Sequence, residues 1–314
     1  MHIVILDFET LKTGDLTPLK SMAKSLTLYD STPNDELIER ITDCDVIISN
    51  KVVLDANAIA HTNAKLICVA ATGYNNVDIS AAKSANIAVA NVANYSTMSV
   101  VQHTFALMFN LLGNTHRYLA NNKMKLWQNS EHFCLIDYPF EEVYNKTLVI
   151  IGCGNIGMAV KRVAEAFDMK VILAERKGQA PREGRMAFEQ AIQAADIISI
   201  HCPLTEATRH LFSTEELNQL KKSTVILNLA RGPIIDEDAL VHALKLGKLS
   251  GAATDVLSEE PPTERNPLFA YEGENLLITP HIAWASQESV SRLIVAIKNN
   301  IIAFTQGESL NRIC

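Results

Sequence analysis

Short apolar runs of four or five residues alternate with longer amphipathic stretches along almost the whole chain. "HIVIL", "DVIIS", "LICVA" and "IAVA" come before residue 95; "TLVII", "KVILA", "DIISI", "TVILN", "GAATD" and "NLLIT" follow later. Runs this short, bounded by polar and turn residues, read as buried strands. The stretches between them carry helical spacing, as in "DELIERIT" (35–42) and "DEDALVHALKLG" (236–247). Asp236 is placed to cap the second of these and Gly247 to end it. Ser213 with Glu216 has the spacing of a capping box for another helix. Strand and helix in alternation predict an α/β protein with parallel sheets covered by helices.

Two segments break the alternation. Residues 96–117, "STMSVVQHTFALMFNLLGNTHR", and 286–307, "SQESVSRLIVAIKNNIIAFTQG", each read as one long helix. They bracket "LVIIGCGNIGMAV" (148–160), where an apolar run leads into Gly152, Gly154 and Gly157 at G-x-G-x-x-G spacing. That motif usually opens a nucleotide-binding domain, yet here 147 residues precede it. The arrangement predicts an insertion. Residues 1–95 and 287–314 form one discontinuous domain, and 96–286 form a second, with a cleft between them and the long helices as hinges.

Composition narrows the class. The chain of 314 residues is 48% hydrophobic and 20% charged, as a globular protein is, and long enough for two domains. A net charge of -7 offers nothing to a nucleic-acid backbone. No apolar run is long enough for a membrane helix, and "MHIVILDFET" reads as a first strand and not as a signal peptide. The six cysteines show no C-x-x-C spacing and several lie in apolar runs, which predicts reduced core thiols, no metal site and a cytoplasmic protein.

The glycine motif has the context its chemistry requires, a strand before it and "NIGMAVKRVAEAF" continuing as a helix. Gly152 permits the tight turn, Gly154 lets backbone approach a pyrophosphate, and Gly157 lets helix pack on strand. The phosphates sit on the helix N-terminus, at the backbone of Asn155 and Ile156. Glu175 ends the next strand, 18 residues after Gly157. An acid there accepts hydrogen bonds from the adenosine ribose hydroxyls and repels a 2′-phosphate, which favours NAD(H). Arg176 and Lys177 follow at once and weaken that discrimination.

Three further strand ends carry chemistry. "LNLARGPIIDEDAL" (227–240) presents Arg231 and Gly232, "GAATDVLSEEPP" (251–262) presents Asp255 and Glu259/Glu260, and "LLITPHIAWAS" (276–286) presents His281. In a doubly wound sheet the strand C-termini face the ligand crevice. A guanidinium there suits a carboxylate. An imidazole can protonate a developing alkoxide near neutral pH, and a neighbouring carboxylate can orient it. The set fits reduction of a 2-keto acid by a nicotinamide.

These stretches, with "HCPLTEATRHLF" (201–212), make the chain resemble the D-isomer-specific 2-hydroxyacid dehydrogenases over essentially its whole length. The resemblance implies an NAD-binding Rossmann domain inserted into a flavodoxin-like substrate domain, and a homodimer. It makes Arg231 the substrate-binding arginine, Glu260 the partner acid and His281 the acid/base. It puts Asp255 beside the nicotinamide carboxamide, Thr104 on the interdomain helix near the same ring, and Cys202, Pro203, Thr208 and Ala230 along the cofactor site. Within the family, "AATGYNNVD" (70–78) and "NYSTMSVVQHTFAL" (94–107) are most similar to the glycerate dehydrogenase, or hydroxypyruvate reductase, branch. There, backbone around Thr72 and Gly73 receives the substrate carboxylate, and Tyr95 faces the same cleft. Relatives often carry Pro-Gly where this chain has Ala93-Asn94, and Asp where it has Glu175. Other small D-2-hydroxy acids such as D-lactate, and a non-enzymatic NAD(H)-sensing corepressor-like protein, are the competing readings.

Overall fold

The computed structural model describes residues 1–314, which form two compact units. One is Met1–Ser96 with Trp284–Cys314; the other is Thr97–Ala283.

The first unit begins with β1 (His2–Ile5), α1 (Thr17–Lys20), β2 (Ser25–Leu28), α2 (Asn34–Thr42) and β3 (Val46–Ser49). It continues with α3 (Ala56–Ala60), β4 (Leu66–Val69), α4 (Ile79–Ser84) and β5 (Ala88–Ala90). Its sheet is wholly parallel, in the order β2-β1-β3-β4-β5. That is the flavodoxin-like order. The continuous apolar strands follow from having both faces covered. Ile3 and Ile5 of β1 join one core with Val290, Leu293, Ile297 and Ile301 of the last helix. Val4, between them, joins the opposite core with Leu37 and Ile41 of α2. β2 had no apolar run to announce it: it is an edge strand with no fully buried residue.

The second unit opens with α5 (Thr97–Leu112) and α6 (Thr115–Lys123). The single helix expected over 96–117 is therefore two. Asn114 adopts φ 51° between them, in the left-handed region that asparagine tolerates and a helix cannot use. Then come β6 (Thr147–Ile151), α7 (Asn155–Ala166), β7 (Lys170–Leu173), α8 (Phe188–Ala194), β8 (Ile197–Ile200) and α9 (Thr214–Leu217). β9 (Val225–Asn228), α10 (Glu237–Lys245), β10 (Gly251–Thr254) and β11 (Leu276–Ile278) complete the unit, and the chain ends on α11 (Gln287–Thr305) in the first. All six strands are parallel, in the order β11-β10-β9-β8-β6-β7. From β6 the chain runs outward to β7, then returns past β6 to β8. That reversal is a topological switch point, and the crevice for a ligand lies outside the strand C-termini there.

Local signals set the helix ends. The Asp236 carboxylate accepts from Ala239 N at 3.0 Å, Glu237 and Asp238 favour the positive end of α10, and Gly247 follows its end with φ 61°. Ser213 and Glu216 form the reciprocal capping box of α9. Ser286 caps α11 by accepting from Ser289 N at 3.2 Å. No helix is long and apolar enough to cross a membrane.

One histidine with a buried ring nitrogen makes stability pH-dependent. The His201 ring, just past β8, bonds the Ser199 hydroxyl through Nε2 at 2.7 Å, while its buried Nδ1 has no partner. Burial pushes its pKa down to about 4 from an ordinary 6.5. Between those values the unfolded chain binds the proton and the folded one does not. The folded state therefore keeps its full stability above pH 6.5 and loses it as pH falls towards about 4, by up to roughly 3 kcal/mol. Urea unfolding of wild type and His201→Asn from pH 7 to 4 checks this: the variant should show a shallower decline.

Candidate active site

At the switch point, Gly152 follows β6 with φ 100°, and a Cβ on it would lie 2.4 Å from Cys202 N. Only glycine lets this turn close against the end of β8. A Cβ on Gly157 would sit 2.1 Å from Gly152 O, so α7 packs tightly on the turn. Gly154 is the N-cap of α7 and offers no side-chain cap. A Cβ there would meet nothing within 4 Å, which leaves open space over the first helical turn. Asn155 and Ile156 begin that turn, where backbone N–H groups and the helix dipole favour an anion. A dinucleotide pyrophosphate fits this cradle.

Next to it, Cys202, Pro203 and Thr208 form a self-bonded loop. Thr208 Oγ1 donates to Pro203 O and accepts from Thr205 N, each at 2.7 Å. Burial pushes the Cys202 thiol up to about 11, so it stays protonated at neutral pH. Glu175 follows β7, and its side chain is fully buried. Its two oxygens accept the Arg182 Nε and Nη2 at 2.6 Å each and the Arg176 N–H at 2.9 Å. The Arg182 guanidinium, with these backbone donors, holds the carboxyl well below the usual range.

Three neighbouring strands, β9, β10 and β11, carry the remaining residues. Asn228, buried at the end of β9, accepts from Ala230 N at 3.1 Å and donates to Arg231 O at 2.9 Å. This shapes the turn that exposes Arg231, whose Nη1 returns to Ala230 O at 2.7 Å. A Cβ on the following Gly232 would overlap Leu257 C at 1.9 Å. Glycine thus allows the arginine turn to lie directly on the segment leading to Glu260. Glu260 Oε1 accepts from Leu257 N at 2.8 Å, and Oε2 meets His281 Nδ1 at 2.6 Å. With Nδ1 donating to the carboxylate, Nε2 is the nitrogen left for a ligand.

His281 itself has φ 53°, unusual for a residue with a side chain. The cause is the buried Asp255. Its Oδ1 accepts from Thr279 Oγ1 at 2.5 Å and Ile282 N at 2.9 Å, and its Oδ2 from Ala283 N at 2.8 Å. His103 of α5 supports the same group, with Nε2 3.0 Å from Thr279 Oγ1 and 3.6 Å from Asp255 Oδ1. Asp255 thus grips the chain on both sides of His281. Thr104 is fully buried and returns its hydroxyl to Val100 O at 2.8 Å, so it has no donor to offer a ligand. The other three expected residues belong to the first unit. Thr72 is exposed and donates to Val92 O at 3.0 Å, and Gly73 is half-buried beside it. Tyr95 packs into that unit's core, its ring edge-on to Trp284 with centroids 6.3 Å apart.

Sequence reasoning missed Asn228, Thr279, His103 and Arg182. The first two are polar strand-end residues, a signal that pointed at their neighbours instead. His103 lies in an apolar helical pattern, and Arg182 sits in a loop with no periodicity at all.

A carboxylate-held imidazole in the same sheet as a dinucleotide loop is the equipment of a dehydrogenase. The family model described as the NAD-binding domain of D-isomer-specific 2-hydroxyacid dehydrogenases matches residues 105–283, and the chain belongs to that family. It is an NAD-dependent oxidoreductase of 2-hydroxy acids. A Haemophilus influenzae protein provisionally named a 2-hydroxyacid dehydrogenase is 42% identical over 98% of both chains. The glycerate dehydrogenase of Methylorubrum extorquens is 37% identical over 90% of both. Among solved structures, the D-lactate dehydrogenase of Lactobacillus jensenii with NAD+ superposes with a TM-score of 0.78 at 25% identity, covering 98% of each chain.

Replacing Asp255 by Asn would leave one acceptor oxygen for three donors and turn an amide donor towards a backbone N–H. The variant should lose about 2–3 kcal/mol of stability in urea unfolding, and its kcat should fall more than its KM rises because His281 loses its aim.

Proposed function

We propose that the chain reduces hydroxypyruvate to D-glycerate, and glyoxylate to glycolate, with NADH, and runs the reverse oxidations with NAD+. The observation that carries the chemistry is the 2.6 Å contact between His281 Nδ1 and Glu260 Oε2. Bound NADH supplies the hydride to the keto carbon. His281 Nε2 donates the proton that the growing alkoxide needs and takes it back in the oxidative direction. Glu260 keeps Nδ1 protonated and the ring oriented, while its second oxygen stays fixed on Leu257 N. Arg231 binds the substrate carboxylate and polarises the keto oxygen. The glycine loop and α7 take the pyrophosphate, and Asp255 serves the nicotinamide end through the loop it orders.

The name of the Methylorubrum relative supports glycerate as the hydroxy acid. D-Lactate is the competing substrate, carried by the more distant Lactobacillus structure. A spectrophotometric screen of hydroxypyruvate, glyoxylate, pyruvate and phosphohydroxypyruvate separates them. Hydroxypyruvate should give the highest kcat/KM; a preference for pyruvate would refute the assignment, and no turnover of any would favour a binding protein. His281→Ala should lower kcat by about 10²–10⁴. Undiminished turnover would remove it as the proton donor. Arg231→Ala should raise the keto-acid KM steeply while leaving NADH binding intact.

We also infer a homodimer. Residues 119–144 expose Leu119, Trp127, Phe133, Ile136, Phe140 and Tyr144, with Phe133 at 90% and Ile136 at 80%. A concentration of large apolar side chains on one segment marks a surface that a protein partner covers. A second copy supplies the same segment by two-fold symmetry. Light scattering should give twice the chain mass, and Phe133→Asp with Ile136→Asp should give the monomer.

A further inference from the structure

The acid that meets a dinucleotide's adenosine ribose must be reachable, and Glu175 is not. Its side chain has no exposed surface. Its two oxygens accept four hydrogen bonds, from Arg182 Nε, Nη2 and backbone N at 2.6, 2.6 and 3.3 Å and from Arg176 N at 2.9 Å, and Arg185 Nη1 is an ion-pair partner at 3.5 Å. A carboxylate has about four acceptor sites, so none is left for a hydroxyl unless Arg182 moves. The surface above it is cationic. The Arg182 side chain remains 56% exposed while clamped, and Arg176 is exposed beside it. Residues 175–185 hold Arg176, Lys177, Arg182 and Arg185 against Glu175 and Glu183, and only Lys177 is drawn elsewhere, to Glu216 at 2.5 Å.

The place is the one that discriminates cofactors. β7 is the partner of β6, Ile150 pairs with Leu173, and Ala174 N bonds Ile150 O at 3.1 Å. Cys153, inside the glycine loop, has its sulfur 4.0 Å from Ala174 O. In such a sheet an accessible acid at this strand end reads the ribose 2′-hydroxyl, whereas an arginine accommodates a 2′-phosphate.

We propose that Arg182, locked on Glu175 and joined by Arg176, forms a site for the 2′-phosphate, so that the protein binds NADP(H) as well as NAD(H). The inference rests on the dinucleotide site already described and adds a second cofactor to it. Glu175 acts here as the anchor that orients the Arg182 fork. NAD(H) binds in the same place with its ribose hydroxyls facing the guanidinium, or the carboxylate once one arm of the fork opens.

Direct binding tests it without turnover. NADH and NADPH differ only by the 2′-phosphate, and each is titrated into the full-length protein by the enhancement of its own nicotinamide fluorescence. Wild type should bind NADPH within tenfold of NADH, and NADPH affinity should fall more steeply with added NaCl. Arg182→Ala should weaken NADPH at least tenfold, because the bared Glu175 then faces the phosphate, and should leave NADH within threefold. Wild-type binding of NADPH more than tenfold weaker than NADH would overturn the proposal and leave the dinucleotide site standing. So would an Arg182→Ala protein that loses both cofactors equally, or neither. Failure of both to bind wild type would remove the dinucleotide reading and this proposal together. An unchanged thermal midpoint of the variant excludes misfolding as the cause.

Discussion

Asp255 holds three donors on one buried carboxylate, and the position of the imidazole depends on it. A left-handed backbone costs about 1–2 kcal/mol for a residue with a side chain, and His281 adopts one. Its own side chain contributes the contact with Glu260. The offset comes from the Thr279 hydroxyl and the Ile282 and Ala283 N–H groups, all donating to Asp255. Hydrogen bonds to a charged group contribute roughly 1.5–3 kcal/mol each, so two or more outweigh the backbone strain. The strain is thereby stored where the ring must point at Glu260 rather than continue along β11.

Glu260 is held from its other side in turn. Its bond from Leu257 N fixes the carboxylate before it meets His281, and Leu257 lies against Gly232, where no side chain would fit. Arg231 is one residue from that contact. The three proposed catalytic groups are therefore linked through backbone: β9 turns at Asn228, rests on the end of β10, and β10 grips the end of β11. Alanine at 232 would act on Arg231 and Glu260 at once, although glycine there touches no ligand.

The strands were legible because both sheets are covered on both faces, which makes each strand a continuous apolar run; β2, at an edge, had no such run. The break between α5 and α6 falls at Gly113 and Asn114, inside the stretch that reads as one helix, where the left-handed φ of Asn114 separates the two. Arg231, Glu260 and His281 stood out by residue type at successive strand ends, and the structure puts the last two in contact. Their supports did not stand out, since Asn228 and Thr279 look like any polar residue closing a strand. Thr104, placed near the nicotinamide by the resemblance, is buried, and its hydroxyl donates to the carbonyl four residues back.

Glu175 joins the two lessons. Its type and spacing were readable, but its partner lies seven residues away across a loop, and the partner decides what the acid presents. This also resolves an apparent conflict of charge. A protein of net charge -7 must draw in an anionic cofactor and an anionic acid, and the net charge is the wrong quantity for that purpose. At physiological salt, fields decay over about 8 Å, so a ligand at a strand end responds to the groups within reach. Near β7 these are guanidiniums paired with a buried carboxylate. Beyond β9 it is Arg231, exposed on the turn that leads into Gly232. The net charge sums acids over the whole chain and does not describe these local surfaces.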